Sequence, residues 1–174
     1  MAEIHVCSLA LMPGTVERVQ ARSLLSLVGP GMKIERPEIV PPEQHLNLAL
    51  SDIVAPMLGY VVPDEGHVRR LLDFLFNWDQ RQPMVVHCFA GVSRSTAAAF
   101  IAACTLAPNA NELALAAHIR EMSPTATPNA RLVALADDML DREGRMNAAI
   151  AALGRGRDCY EGEPFMLNLK DWQK

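Results

Sequence analysis

Met84-Val85-Val86-His87-Cys88-Phe89-Ala90-Gly91-Val92-Ser93-Arg94-Ser95 is the stretch that decides the fold. Met84 to Val86 follows Pro83 and is a short β-branched run of the kind found in a buried central strand. Ser95 to Ala107 is apolar all round, so a helix there has to lie inside a core, and Pro108 ends it. The seven residues from Cys88 to Arg94 therefore form a loop between a buried strand and a buried helix.

Outward from that unit, Ile4 to Met12 reads as a strand closed by Pro13-Gly14, and Ser23 to Val28 as another closed by Gly29-Pro30-Gly31. A short polar helix fits between them. After the Pro37 to Pro42 loop, Leu46, Leu48 and Leu50 alternate with His45, Asn47 and Ala49 as a third strand, ended by Ser51-Asp52. Pro56, Gly59 and Pro63 then exclude regular structure. Asp64 to Arg81 has a helical apolar period with Asp64 as its natural cap, and two amphipathic helices follow at Asn111 to Met122 and Asn129 to Arg142. Beyond Gly144 the periodicity weakens to a loop, Gly154-Arg155-Gly156-Arg157, and an acidic, aromatic tail. The expectation is one α/β (α+β) domain, a central mixed sheet flanked by helices, with a core over about 1–142 and a C-terminal extension over about 143–174.

The chain has 174 residues, half of them apolar, enough to bury a core without disulfides or metal. A net charge of −4 supplies no global field for nucleic acid or an anionic membrane, so neither is expected as a partner and anion binding has to be local. Ala97 to Leu106, the longest apolar stretch, is too short to span a bilayer, and no basic segment precedes Ile4 to mark a secretory signal. Cys7, Cys88, Cys104 and Cys159 form no Cys-x-x-Cys pair; reduced thiols in the cytoplasm are expected, with Cys7, Cys104 and Cys159 as buried small hydrophobes. The five histidines show no i, i+4 pair, and neither a metal nor a cofactor is expected. Arg142, Arg145, Arg155 and Arg157 read as a solvated basic face.

A loop that curls back on itself aims successive backbone N–H groups at one centre and can hold a phosphate there. Phe89, Ala90, Gly91, Val92, Ser93 and Arg94 are the residues so placed, with Gly91 permitting the backbone angles. The following helix directs its positive end at the same centre, which favours both a bound dianion and a cysteine thiolate at Cys88. Arg94 adds a planar fork able to grip two phosphate oxygens.

This loop resembles the signature of the protein tyrosine phosphatase superfamily, and Gly91-Val92-Ser93-Arg94-Ser95 is similar to the wording of its dual-specificity subgroup. The resemblance spans roughly Leu46 to Leu140, and the alanine- and arginine-rich composition resembles that of GC-rich bacterial genomes. It implies that Cys88 attacks phosphorus in line, that Arg94 stabilises the transferring group and that Ser95 donates a hydrogen bond to the cysteine as it leaves. It also implies that His87 supports the loop, and that Asn129 of Pro128-Asn129 braces it. In the family an aspartate some thirty-odd residues before the cysteine serves as general acid; Asp52 meets that spacing at the end of a strand, whereas Asp64 is too close and is better explained as a helix cap. The implied substrates are phosphorylated proteins or small phosphomonoesters. Two other readings remain: a non-protein substrate such as an inositol phosphate or nucleotide, which the absence of a loop lysine weakens, and a phosphate-binding module without turnover. No Trp-Pro precedes Asp52, which leaves the depth of the pocket and its preference for phosphotyrosine open.

Overall fold

The computed structural model describes residues 2–173. Its elements run β1 (Glu3–Ser8), α1 (Met12–Val19), β2 (Ser23–Val28), β3 (His45–Ala49), α2 (Glu65–Asn77), β4 (Met84–Cys88), α3 (Arg94–Leu106), α4 (Glu112–Met122), α5 (Ala130–Met139), α6 (Arg145–Leu153) and β5 (Phe165–Asn168). The strands form one sheet in the order β3-β2-β4-β1-β5, in which β5 runs antiparallel to β1 and every other pairing is parallel. This is the mixed sheet expected from the sequence.

β4 is central and buried at every position, as a strand covered on both faces must be. Val86 and Cys88 face the larger core, which α2 to α6 complete, while Val85 joins Cys7 and Leu24 under α1. All of α3 from Arg94 to Cys104 is buried, so the helix that opens beside the loop is clamped by the core along most of its length. Asp64 does cap α2, accepting from the His67 amide at 3.0 Å while the Asp64 amide donates back to His67 Nδ1.

Four expectations need correction. Pro13-Gly14 does not close a strand; β1 stops at Ser8, and Pro13 sits in the first turn of α1, where its fixed φ and missing N–H suit a helix start. The region after Gly144 is ordered into α6 and β5, and β5 shows the period of two of an edge strand, with Phe165 and Leu167 buried and Met166 exposed. The basic face divides: Arg142 is buried, donating to Glu112 Oε1 at 3.0 Å and to the carbonyls of Pro108 and Cys104, and Arg145 joins the same carboxylate. Arg145, Arg155 and Arg157 stay exposed. Cys159 is exposed too, unlike Cys7 and Cys104. No helix among the described residues is long and apolar enough to cross a membrane.

Candidate active site

The loop after β4 is shaped from outside, by its carbonyls. Phe89 O accepts from the Leu9 amide at 3.1 Å, Ala90 O from the Gly162 amide at 2.8 Å, Val92 O from the Thr127 amide at 2.9 Å and Ser93 O from the Ala97 and Asn129 amides. Because the peptide unit is planar and trans, each outward carbonyl turns the next N–H inward. The amides of Ala90, Gly91, Ser93 and Arg94 are therefore directed into the ring, and the Gly91 amide donates to Cys88 Sγ at 3.3 Å. Gly91 has φ +74°, and a Cβ there would lie 2.9 Å from the Cys7 carbonyl carbon and the Ser8 nitrogen, so no other residue fits both demands.

Cys88 is 2 % exposed, at the floor of this ring, with Ser95 Oγ 3.1 Å from its sulfur. α3 begins at Arg94 without a side-chain cap, which leaves its positive end facing the thiol. The other buried thiols lack these neighbours. Burial pushes Cys7 up to about 11 and Cys104 up to about 12, marking both as inert packing.

His87 supports the ring from beneath. One consistent set of protons runs from His45 Nε2–H to Ser26 Oγ (2.9 Å), from the Ser26 hydroxyl to His87 Nε2 (2.7 Å), and from His87 Nδ1–H to the Cys88 carbonyl (3.3 Å). Burial lowers His87 to about 4, and burial likewise lowers His45, so both imidazoles are neutral at pH 7. The unfolded chain, with histidine near 6.5, binds more protons than the folded one between those values. Stability should thus be complete above about pH 6.5 and decline as pH falls toward about 4, with His87 contributing about 3 kcal/mol to the decline. Urea unfolding of the parent and of His87→Gln at pH 7 and pH 5 tests this; an equally steep decline in the variant would remove His87 from it.

Asp52 and Asn129 meet against Ser93 of the ring, and Arg94 is fixed to the chain two residues before Asp52. Arg94 Nη1 donates to the Leu50 carbonyl at 2.9 Å, while its buried Nε has no hydrogen-bond partner. One edge of the guanidinium is thus anchored and the other is aimed without a protein acceptor. Asp52 Oδ1 accepts from Ser93 Oγ at 2.7 Å and from Asn129 Nδ2 at 2.8 Å. Asn129 also caps α5 through Oδ1 and ties its own amide to Ser93 O, so one side chain links the loop, the aspartate and the helix. Beside them a cleft of about 520 Å³ runs between Asp52–Met57 and Thr127–Ala130. Every site residue expected from the sequence lies in or against this assembly, whereas Asp64 lies outside it at the start of α2. Ser26, the Leu50 carbonyl and Gly162 were not anticipated: each acts through a long-range contact that no local spacing encodes. Among the described residues no cluster of three His, Cys, Asp or Glu is placed to hold a metal ion.

A family model described as protein-tyrosine phosphatase matches residues 60–127, which contain the whole ring. The fold is similar to that of human DUSP28 (14% identity, 80% of this chain and 89% of that one, TM-score 0.60). It is also similar to the PTP-2 phosphatase of Cydia pomonella (18%, 78% and 84%, 0.58) and to DUSP15 (14%, 88% and 91%, 0.59). No curated protein matches the sequence. The ring thus lies in a stretch that matches the protein-tyrosine phosphatase model, within a fold similar to those of dual-specificity phosphatases.

Proposed function

We propose that the protein hydrolyses phosphomonoesters of the phosphotyrosine type, on proteins, in two steps through a phosphocysteine. The observation that carries this is the unpartnered, buried Arg94 Nε beside a thiol held by Ser95 Oγ and the Gly91 amide, a combination that a phosphate completes. In the first step the Cys88 thiolate attacks phosphorus; an S–P bond forms as the P–O bond breaks, and Asp52 gives its proton to the departing oxygen. In the second, water attacks phosphorus, Asp52 takes the water proton, and the Cys88 thiolate leaves with the Ser95 hydroxyl donating to it. Arg94 and the inward amides bind the equatorial oxygens throughout, and the route uses neither metal nor cofactor. Free thiols at all four cysteines suit a reducing, cytoplasmic setting. Release of inorganic phosphate from an activated aryl phosphate is the direct test, and its absence from the purified protein would sink the proposal.

A second reading, a non-protein phosphate, is favoured by one neighbour: the structure of PTPMT1 in complex with PI(5)P is similar in fold (16% identity, TM-score 0.56). Relative rates on phosphotyrosine, phosphoserine and phosphothreonine peptides and on inositol phosphates separate the two.

Asp52→Asn isolates the acid. Asparagine keeps the oxygen that accepts from Ser93 and Asn129, so the geometry survives and only the proton is lost. Hydrolysis of phenyl phosphate should fall by about 10²–10³-fold, that of an activated aryl phosphate by far less, since its leaving group departs unprotonated. Asp64→Asn, which swaps one good cap for another, should leave both rates unchanged. A leaving-group-dependent loss in the Asp64 variant instead would move the general acid there.

A further inference from the structure

We propose that the segment from Gly156 to Glu163 is a working part of the phosphate loop, with Gly162 as its positioning residue. This rests on the function proposed above but concerns residues that lie outside the Cys88–Arg94 motif and far from it in sequence. The segment is pinned at two places. At one, the Gly156 amide donates to Thr127 Oγ1 at 3.0 Å and the Arg157 amide to Pro124 O at 2.9 Å, and a Cβ on Gly156 would lie 2.7 Å from the Thr125 carbonyl carbon. Thr127 in turn holds Val92 O.

At the other, the Gly162 amide donates to Ala90 O, and a Cβ there would lie 2.6 Å from Gly91 O and 3.1 Å from the Gly91 carbonyl carbon and Val92 Cγ2. Both flanks of this second pin are tied down: Ser8 Oγ donates to Glu161 at 2.5 Å, and Ser123 Oγ to Glu163 O at 3.0 Å.

These contacts bear on the groups that face a phosphate. Ala90 O is one of the carbonyls whose outward direction turns an amide inward, and the amide it turns is that of Gly91, the one bonded to Cys88 Sγ. Gly91 is wedged between two backbones, that of Cys7 and Ser8 on one side and that of Gly162 on the other. A side chain at 162 meets backbone that cannot swing away, so it has to push the Gly91–Val92 peptide and rotate its neighbours' amides off the common centre. Gly162 has neither a positive φ nor any part in the core; its need for no Cβ comes from this approach alone.

The test compares Gly162→Ala with Gly29→Ala, where a Cβ meets nothing within 4 Å. Two quantities are read besides thermal unfolding: turnover of an activated aryl phosphate, and calorimetric binding of inorganic phosphate to the same variants on a Cys88→Ser background. Gly162→Ala is expected to lower kcat by about 10²-fold and to weaken phosphate binding at least tenfold, while Gly29→Ala changes neither. Should Gly162→Ala fail to fold, Ser123→Ala, which frees Glu163 without any steric insult, decides the matter by a smaller loss of phosphate affinity. Unchanged phosphate affinity in the folded Gly162 variant, or in Ser123→Ala where that variant is needed, overturns the proposal. A parent that binds phosphate but does not turn over overturns the proposed function instead and leaves this inference to the binding data.

Discussion

Replacing Cys88 by serine should abolish turnover, with kcat falling by on the order of 10⁶-fold, while inorganic phosphate binds at least as well as before. The two halves of that result have separate causes. A serine hydroxyl beside Ser95 is not ionised at neutral pH, and no imidazole is available to take its proton, because His87 is neutral but spends both nitrogens on Ser26 Oγ and the Cys88 carbonyl. Arg94 and the carbonyls that turn the amides inward are held by contacts outside the cysteine side chain; the Gly91 amide alone also donates to Sγ, and a serine Oγ can accept in its place. In the proposed mechanism the attacking thiolate also repels the incoming dianion, a repulsion that the serine variant lacks. Single-turnover assays together with calorimetry check both halves. Measurable turnover by the serine variant would take the nucleophile away from Cys88, and loss of phosphate binding would deny the ring its independence from the thiol.

Arg94→Lys comes next, with kcat/KM expected to fall by about 10³-fold even though the charge is kept. In the proposed mechanism the guanidinium performs two tasks at once: Nη1 holds Leu50 O just past the end of β3, and the buried Nε, which has no protein acceptor, is left for the phosphate. An ammonium group is a single point and has to abandon one task, either losing the phosphate or leaving the Leu50 carbonyl without its donor. Steady-state kinetics on an aryl phosphate with equal protein stability checks this, and a loss of less than tenfold would contradict the two-task assignment.

Much of this was legible in the sequence because local chemistry fixed it. Pro83 and the Met84–Val86 run marked the central strand, the charge-free Ser95–Ala107 run marked a helix sunk in the core, and Gly91 marked the turn between them. Asp64 announced itself as a cap through its position before a periodic segment. Pro13 misled because proline closes strands and opens helices alike, and only the tertiary setting chooses. α6 is a mere nine residues with Gly144 in a left-handed conformation before it, too short to declare a period, and β5 is four residues whose alternation is visible only once β1 is known to need an edge partner. Arg142 read as solvated because its partner Glu112 lies 30 residues away on α4, and a buried ion pair leaves no trace in either segment alone. The Asp52–Asn129–Ser93 junction was half visible: the residue types were evident, but their meeting depends on α5 packing beside the loop.

In the proposed mechanism that junction also bears on the tempo of the reaction. An acid carried on an untethered lid has to swing in for each turnover, and the swing can then limit the rate. Here Asp52 is stapled to Ser93 and Asn129 before any substrate arrives, and the residue two before it, Leu50, is fastened to Arg94. In the proposed mechanism acid, clamp and loop are thus already tied together before substrate binds, and bond-making at phosphorus, not the opening and shutting of a gate, is expected to set the clock.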